Sequence, residues 1–154
     1  MAKLTKGMIK AMEIDLGCGP HFVALCHRFF FSENARFLLA VIRYQRNPTF
    51  NAAFAIYDEF ISKEAKSEVN LPSQTSEIIE GYLRGWKGVR DGTTGGKLYG
   101  RVYNGGRGTA SPTLYDTAFD DILKLVNANQ QTPGFRTGLE QLMNSFEVER
   151  WAQP

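Results

Sequence analysis

Two cysteines and two histidines are all the chain has of the residues that most often bind metals or act as nucleophile and base. Cys18 and Cys26 make no disulfide framework, and free buried thiols in a reducing compartment are the simpler reading. Together with His21 and His27 they fall within ten residues, which invites a zinc hypothesis. The spacing C-x2-H-x4-C-H is no standard ligand set, however, and neighbours at 26 and 27 on a helix point well apart. No metal and no cofactor are expected. Both histidines are N-terminal, so no Ser-His-Asp or Cys-His-Asp set can be placed. Long apolar runs are also missing: the run Phe37 to Ile42 is six residues, far short of a membrane span. The start, "MAKLTKGMIKAM", has positive charges with no continuous apolar stretch behind them, so no secretory signal is expected. A net charge of +2 is too small to argue for nucleic acid, and none is expected as a partner.

What is present is helical periodicity. Phe22, Leu25, Cys26, Phe29 and Phe30 form a stripe over residues 21–31, a helix expected to end at Phe31. From Ala35 to Gln45, Phe37, Leu38, Val41 and Tyr44 keep the same spacing, with extra apolar residues that fit burial on several sides. The clearest amphipathic helix covers 50–62, with Phe50, Ala53, Phe54, Tyr57, Phe60 and Ile61 on one face. Pro72 opens a helix running to about Leu83. After Pro112, Leu114, Ala118, Ile122 and Leu125 make a face, and Phe135, Leu139, Leu142 and Phe146 make the last one. No βαβ alternation occurs, so the fold class is all-α. The length of 154 residues suits one domain.

Three short motifs need weighing. "EIDLGCGPHF" (residues 13–22) resembles the glycine loop of an S-adenosylmethionine-dependent methyltransferase. That loop needs a parallel strand before it, and "MIKAMEI" is no apolar strand. A helix stop at Gly17 and Gly19 before a helix started by Pro20 accounts for the same residues. "DGTTGGKL" puts Asp91 where a phosphate-binding loop needs glycine and Leu98 where it needs Ser or Thr. Residues 84–108 hold nine of the fifteen glycines and six basic residues against one acid. "KLYGRVYNGG" is expected to form a short hairpin turning at Asn104-Gly105, unless the whole stretch is a solvated insertion.

The strings "FFFSENARFLLAVIRYQ", "IYDEFISKEAKSEVNL" and "LYDTAFDDILKLVNANQQTPGF", in that order, resemble the RGS domain, the regulators of heterotrimeric G-protein signalling. The resemblance covers about residues 20–148, and its middle block is the most specific. It implies an RGS-like helical bundle of about seven to nine helices. A single domain over 1–154 is expected, with an inserted loop or hairpin at about 84–110. It also implies a GTPase-activating protein with no catalytic chemistry of its own. Such a domain binds the switch regions of a GTP-bound Gα subunit and speeds hydrolysis by holding them in the transition-state arrangement. The alternative is an RGS-homology scaffold without that activity.

Glu33 and Asn34 match the family's Glu-Asn pair, where an amide can both donate and accept. Asn70 matches the Asn of "E-V-N-L", with Glu68 beside it, and Leu125 matches a contact leucine. The usual acidic residue of the third loop is Asn129 here. Pro133-Gly134 stand where an Arg four residues on is usual, and Leu38 replaces the usual Trp. These departures leave the fold and bear on the strength of the activity. The basic residues Arg84, Lys87, Arg90, Lys97, Arg101 and Arg107 offer contact with anionic membrane. The expected protein is a cytoplasmic monomer, or a domain excised from a longer chain, working at the inner face of the plasma membrane.

Overall fold

The structure is a computed structural model describing residues 3–91, 97–98, 101–102 and 109–152, with backbone alone for 87–91 and the two short strands. Eight α-helices occur among the described residues. Helix α1 (Lys6–Lys10) starts where the Met8 N–H donates to Thr5 Oγ1, and it widens into a π-turn over Ala11–Asp15. Gly17 then takes φ +60°, the left-handed geometry that glycine adopts at low cost. The Cys18 N–H donates back to Met12 O at 3.0 Å. Helix α2 (Gly19–Arg28) follows, with Pro20 in its first turn. "EIDLGCGP" is therefore one helix's end and the next one's start.

Helix α2 stops three residues before the expected end at Phe31. Phe29 closes it, and Phe30 sits at φ +68°. Helix α3 (Ser32–Arg46) carries the apolar run with Leu38 fully buried. Helix α4 (Phe50–Ile56) is capped by Thr49 and relaxes into a π-turn over Tyr57–Ile61. The expected helix over 50–62 is thus real but changes its winding at Tyr57. Helix α5 (Ser73–Asp91) runs well past Leu83. Ile79, Leu83 and Trp86 continue one buried face, and the Trp86 ring meets Phe50 edge-on at 5.1 Å. The sequence reading ended this helix early because glycine dominates the composition from residue 85 on.

Strands β1 (Lys97–Leu98) and β2 (Arg101–Val102) pair antiparallel, Lys97 with Val102 and Leu98 with Arg101. That register differs from the expected hairpin; Asn104-Gly105 lie outside the described residues. Helices α6 (Asp116–Ala128), α7 (Pro133–Ser145) and α8 (Val148–Trp151) complete the chain, with a 3-10 turn over Asn129–Gln131.

The chain forms two compact units. The first comprises Met1–Arg43 and Phe119–Pro154. Its core holds Phe22, Phe37, Phe119 and Phe135, all fully buried. In it α7 passes close to α2 because Gly134 and Gly138 face that helix. A β-carbon at Gly134 would stand 3.1 Å from the Phe29 ring, and one at Gly138 only 2.5 Å from Leu25 Cδ1. The second unit is Tyr44–Ala118. Tyr44 and Tyr115 stack edge-on at 5.5 Å in its core, and each phenol donates to a backbone carbonyl, of Ser111 and Ala53 respectively. Both phenols are pushed above their ordinary range, chiefly by burial. They stay neutral donors, as buried hydroxyls must to keep those bonds.

Candidate functional site

The turn between α2 and α3 belongs to the first unit and is built on aromatic packing. Phe29 and Phe31 both lay their rings against Phe135, at 5.7 and 4.9 Å and nearly perpendicular. Two flanking rings pinned to one helix leave no inward room for the middle side chain. Phe30 is consequently 93% exposed and held left-handed, a conformation that is an outlier for a bulky L-residue. Such strain persists only where the surroundings over-determine it. The sequence reading placed Phe30 on the buried stripe and missed it. The available signal was three successive phenylalanines, of which a helix end cannot bury all.

Ser32 opens α3, Glu33 lies in its first turn, and Asn34 follows. An acidic side chain there suits the helix dipole. The Asn34 N–H donates to Phe31 O at 3.1 Å, fixing the turn. Only 8% of Asn34 is exposed. Among the described residues no side-chain hydrogen bond engages its amide, and no buried side-chain polar atom lacks a partner, so the amide nitrogen and oxygen reach the surface with a donor and an acceptor unspent. Cys26 lies fully buried behind this turn, and its thiol is pushed up by burial and then by Glu33, which keeps it protonated and inert. His21 tilts against Phe146 at 5.1 Å, while His27 is exposed. Among the described residues no group of three or more His, Cys, Asp or Glu could hold a metal ion.

The third loop also lies in the first unit. Leu125 is 36% exposed at the end of α6, whereas Phe119, Ile122 and Val126 form the buried face there. The expected face through Leu114, Ala118, Ile122 and Leu125 is therefore rotated: Leu125 is at its rim. Asn129 donates from Nδ2 to Leu125 O at 3.0 Å, satisfying an orphan carbonyl at the helix end. That bond fixes the amide with Oδ1 left as acceptor, the part of a carboxylate's role an asparagine can keep. The Thr132 N–H donates to Asn129 O at 2.9 Å, and α7 then begins at Pro133. Because Gly134 and Phe135 touch Phe29 and Phe31, the first turn and the end of the third loop are neighbours. No guanidinium occupies 133 or 134. The nearest in sequence, Arg136, stands in the first turn of α7 and pairs with Glu140 at 3.4 Å.

Glu68 and Asn70 belong to the second unit. The segment before α5 is extended and tied to the π-turn by Ser67 N–H to Glu59 O and Val69 N–H to Phe60 O, at 3.1 and 2.9 Å. Val69 is buried, while Glu68 and Asn70 on either side of it are exposed. They line a cleft of about 630 Å³ with Tyr57, Glu77 and Glu80. Burial first, then Glu80 and Asp58, push the Tyr57 phenol up, and its hydroxyl donates to Glu80.

Of the basic residues offered to a membrane, Arg84 is exposed and sits 3.8 Å from Glu80. Lys87, Arg90, Lys97 and Arg101 are placed by backbone alone, and Arg107 lies outside the described residues. No helix among the described residues is long and apolar enough to cross a membrane.

An all-helical domain with its polar candidate side chains at helix ends and in connecting loops is thereby defined. The family model for the regulator of G protein signaling domain matches residues 20–131 of the 154. The chain belongs to that family, and its fold is the RGS-like helical bundle. The match runs from the first turn of α2 to the end of the third loop. No curated protein matches the chain.

Proposed function

We propose that this domain is a GTPase-activating protein for a heterotrimeric G-protein α subunit. It would bind the switch regions of the GTP-bound subunit and supply no catalytic group, the chemistry remaining with Gα. The observation that carries the reading is Asn34: a mostly buried residue whose amide reaches the surface with both functions unspent, in a turn fixed by Phe31. Such a group can bond a switch side chain without first losing rotamer entropy, which is catalysis by positioning. Glu33, Leu125 and Asn129 contribute from the first unit, Glu68 and Asn70 from the second. Phe30 joins them as an aromatic anchor.

The reading takes residues 1–154 as a single RGS-type domain with an insertion at about 84–110. It places the protein in the cytoplasm as a monomer, drawn toward anionic lipid by Arg84 and the basic residues after it. Single-turnover GTP hydrolysis by a panel of Gα subunits tests the activity. Acceleration should fall by one to two decades in Asn34→Ala, the consequence of losing a strong interfacial hydrogen bond. Undiminished acceleration in that variant would contradict the role.

A second reading, an interaction domain that binds Gα without accelerating it, draws support from the third loop. Asn129 brings no charge there, and Pro133-Gly134 bring no guanidinium. Binding of activated Gα with unchanged turnover would select it.

A further inference from the structure

The segment before α1 makes a contact that no part of the proposed surface uses. The Leu4 N–H donates to Asn127 Oδ1 at 2.8 Å, and Asn127 Nδ2 donates back to Leu4 O at 3.0 Å. The side-chain amide thus pairs with one backbone residue as a neighbouring strand would. Asn127 Oδ1 also accepts from Gln130 Nε2 at 2.9 Å, in the 3-10 turn. Leu4 is fully buried, but the bridge itself uses only its backbone N–H and C=O. Lys6 adds a tie to the same helix, its ammonium 5.5 Å above the Phe119 ring.

Asn127 lies midway between Leu125 and Asn129. The last turn of an α-helix leaves carbonyls without helical partners, a place where helices fray. The Asn127 amide caps none of them but tethers the turn from outside: two of its bonds tie it to Leu4 and one ties it to the following 3-10 turn. We propose that Asn127 is the positioning residue of the third loop, and that Leu4 is the lever through which the N-terminal segment sets that loop's geometry. Displacing Leu4 frees Asn127, loosens Gln130, and lets Leu125 and Asn129 lose their fixed separation. Partner affinity then depends on a segment that never touches the partner. The affinity part rests on the proposed Gα reading; the loop-ordering part does not.

Two measurements on the intact chain separate these parts. In hydrogen exchange, Asn127→Ala should speed the Thr132 amide about tenfold, the equivalent of one net hydrogen bond. The Asn34 amide, bonded to Phe31 O, should not move. Leu4→Ala keeps the backbone bridge and removes only packing, so it should lower Tm with little change at Thr132. Equal acceleration at Thr132 in both variants, tracking Tm, would mean a merely structural role and overturn the proposal. If Asn127→Ala does not fold, Gln130→Ala decides: a smaller acceleration supports the proposal and none overturns it. In Gα binding, Asn127→Ala should weaken affinity severalfold, and the loss should shrink in the Asn129→Ala background, because the first residue acts partly through the second. Additive losses would overturn the affinity part. If no Gα binds the wild type, the functional reading fails while exchange still decides the loop's ordering.

Discussion

Replacing Phe30 by glycine should make the protein more stable and less able to engage its partner. The ring is 93% exposed, so its removal forfeits almost no buried area. Full burial of a phenylalanine contributes roughly 1.5–3 kcal/mol, and the small buried fraction here leaves about 0.2 kcal/mol to lose. The backbone at φ +68° is another matter. A left-handed L-residue costs roughly 1–2 kcal/mol, which glycine does not incur. Glycine's freer unfolded chain takes back roughly 0.5–1 kcal/mol. A net gain of about 0.3–0.8 kcal/mol remains, raising Tm by about 1–3 °C for a chain of this size. On the partner side, an aromatic anchor at an interface is worth about 2 kcal/mol or more, some thirtyfold in affinity. Calorimetry reads the first quantity and titration with activated Gα the second. Phe30→Ala is the control: it keeps a β-carbon and hence the strain, so affinity should fall without the gain in Tm. A lower Tm in Phe30→Gly, or an equal rise in Phe30→Ala, refutes the strain argument. Unchanged affinity in both refutes the anchor.

Other outcomes follow from the core. Gly138→Ala should cost about 1 kcal/mol and 2–4 °C, because its β-carbon would press on the buried Leu25, read by thermal melting. Tyr115→Phe keeps the ring but removes the hydroxyl's bond to the Ala53 carbonyl, which retains the Tyr57 N–H, so it should destabilise by about 0.5–1.5 kcal/mol in chemical denaturation. Alkaline stability should fall from near pH 9, the ordinary thiol value, with a second decline near 10, the ordinary phenol value. Cys26, Tyr44 and Tyr115 have folded values raised by burial, so above those pH values the unfolded chain releases protons that the folded chain retains. Stability then drops by at most about 1.4 kcal/mol per pH unit for each group. Denaturation midpoints between pH 8 and 11 check it, and a flat profile would contradict burial of these groups.

Helical spacing revealed most of the architecture, because amphipathic stripes at Phe22–Cys26, Phe50–Ile61 and Phe135–Leu142 have one natural explanation. It misjudged ends. Phe29, Phe30 and Phe31 are equally apolar, and only the tertiary contact with Phe135 decides which one is expelled. Helix α5 outlasted its apparent stop because one buried tryptophan at 86 outweighs the low helix propensity of Gly85. For the candidate surface, motif order singled out Asn34, Asn70 and Asn129, and the structure adds what the Asn34 and Asn129 amides have free. Asn127 escaped notice since nothing in "LVNANQQ" distinguishes an amide that faces solvent from one that pairs with a residue 123 positions away.

The chain on either side of residues 87–108 is held at one place in the second unit. Trp86 packs on Phe50, Thr109 bridges Thr49, and the Ala110 N–H donates to Pro48 O at 2.7 Å, so three consecutive residues hold both stems. In general, a flexible connection of some twenty residues between anchored ends costs only about 1.5 kcal/mol more to close than one of four. Pro48-Thr49-Phe50 is in that sense a socket. Foreign sequence can be spliced there, exchanged or lengthened, while the core is selected independently.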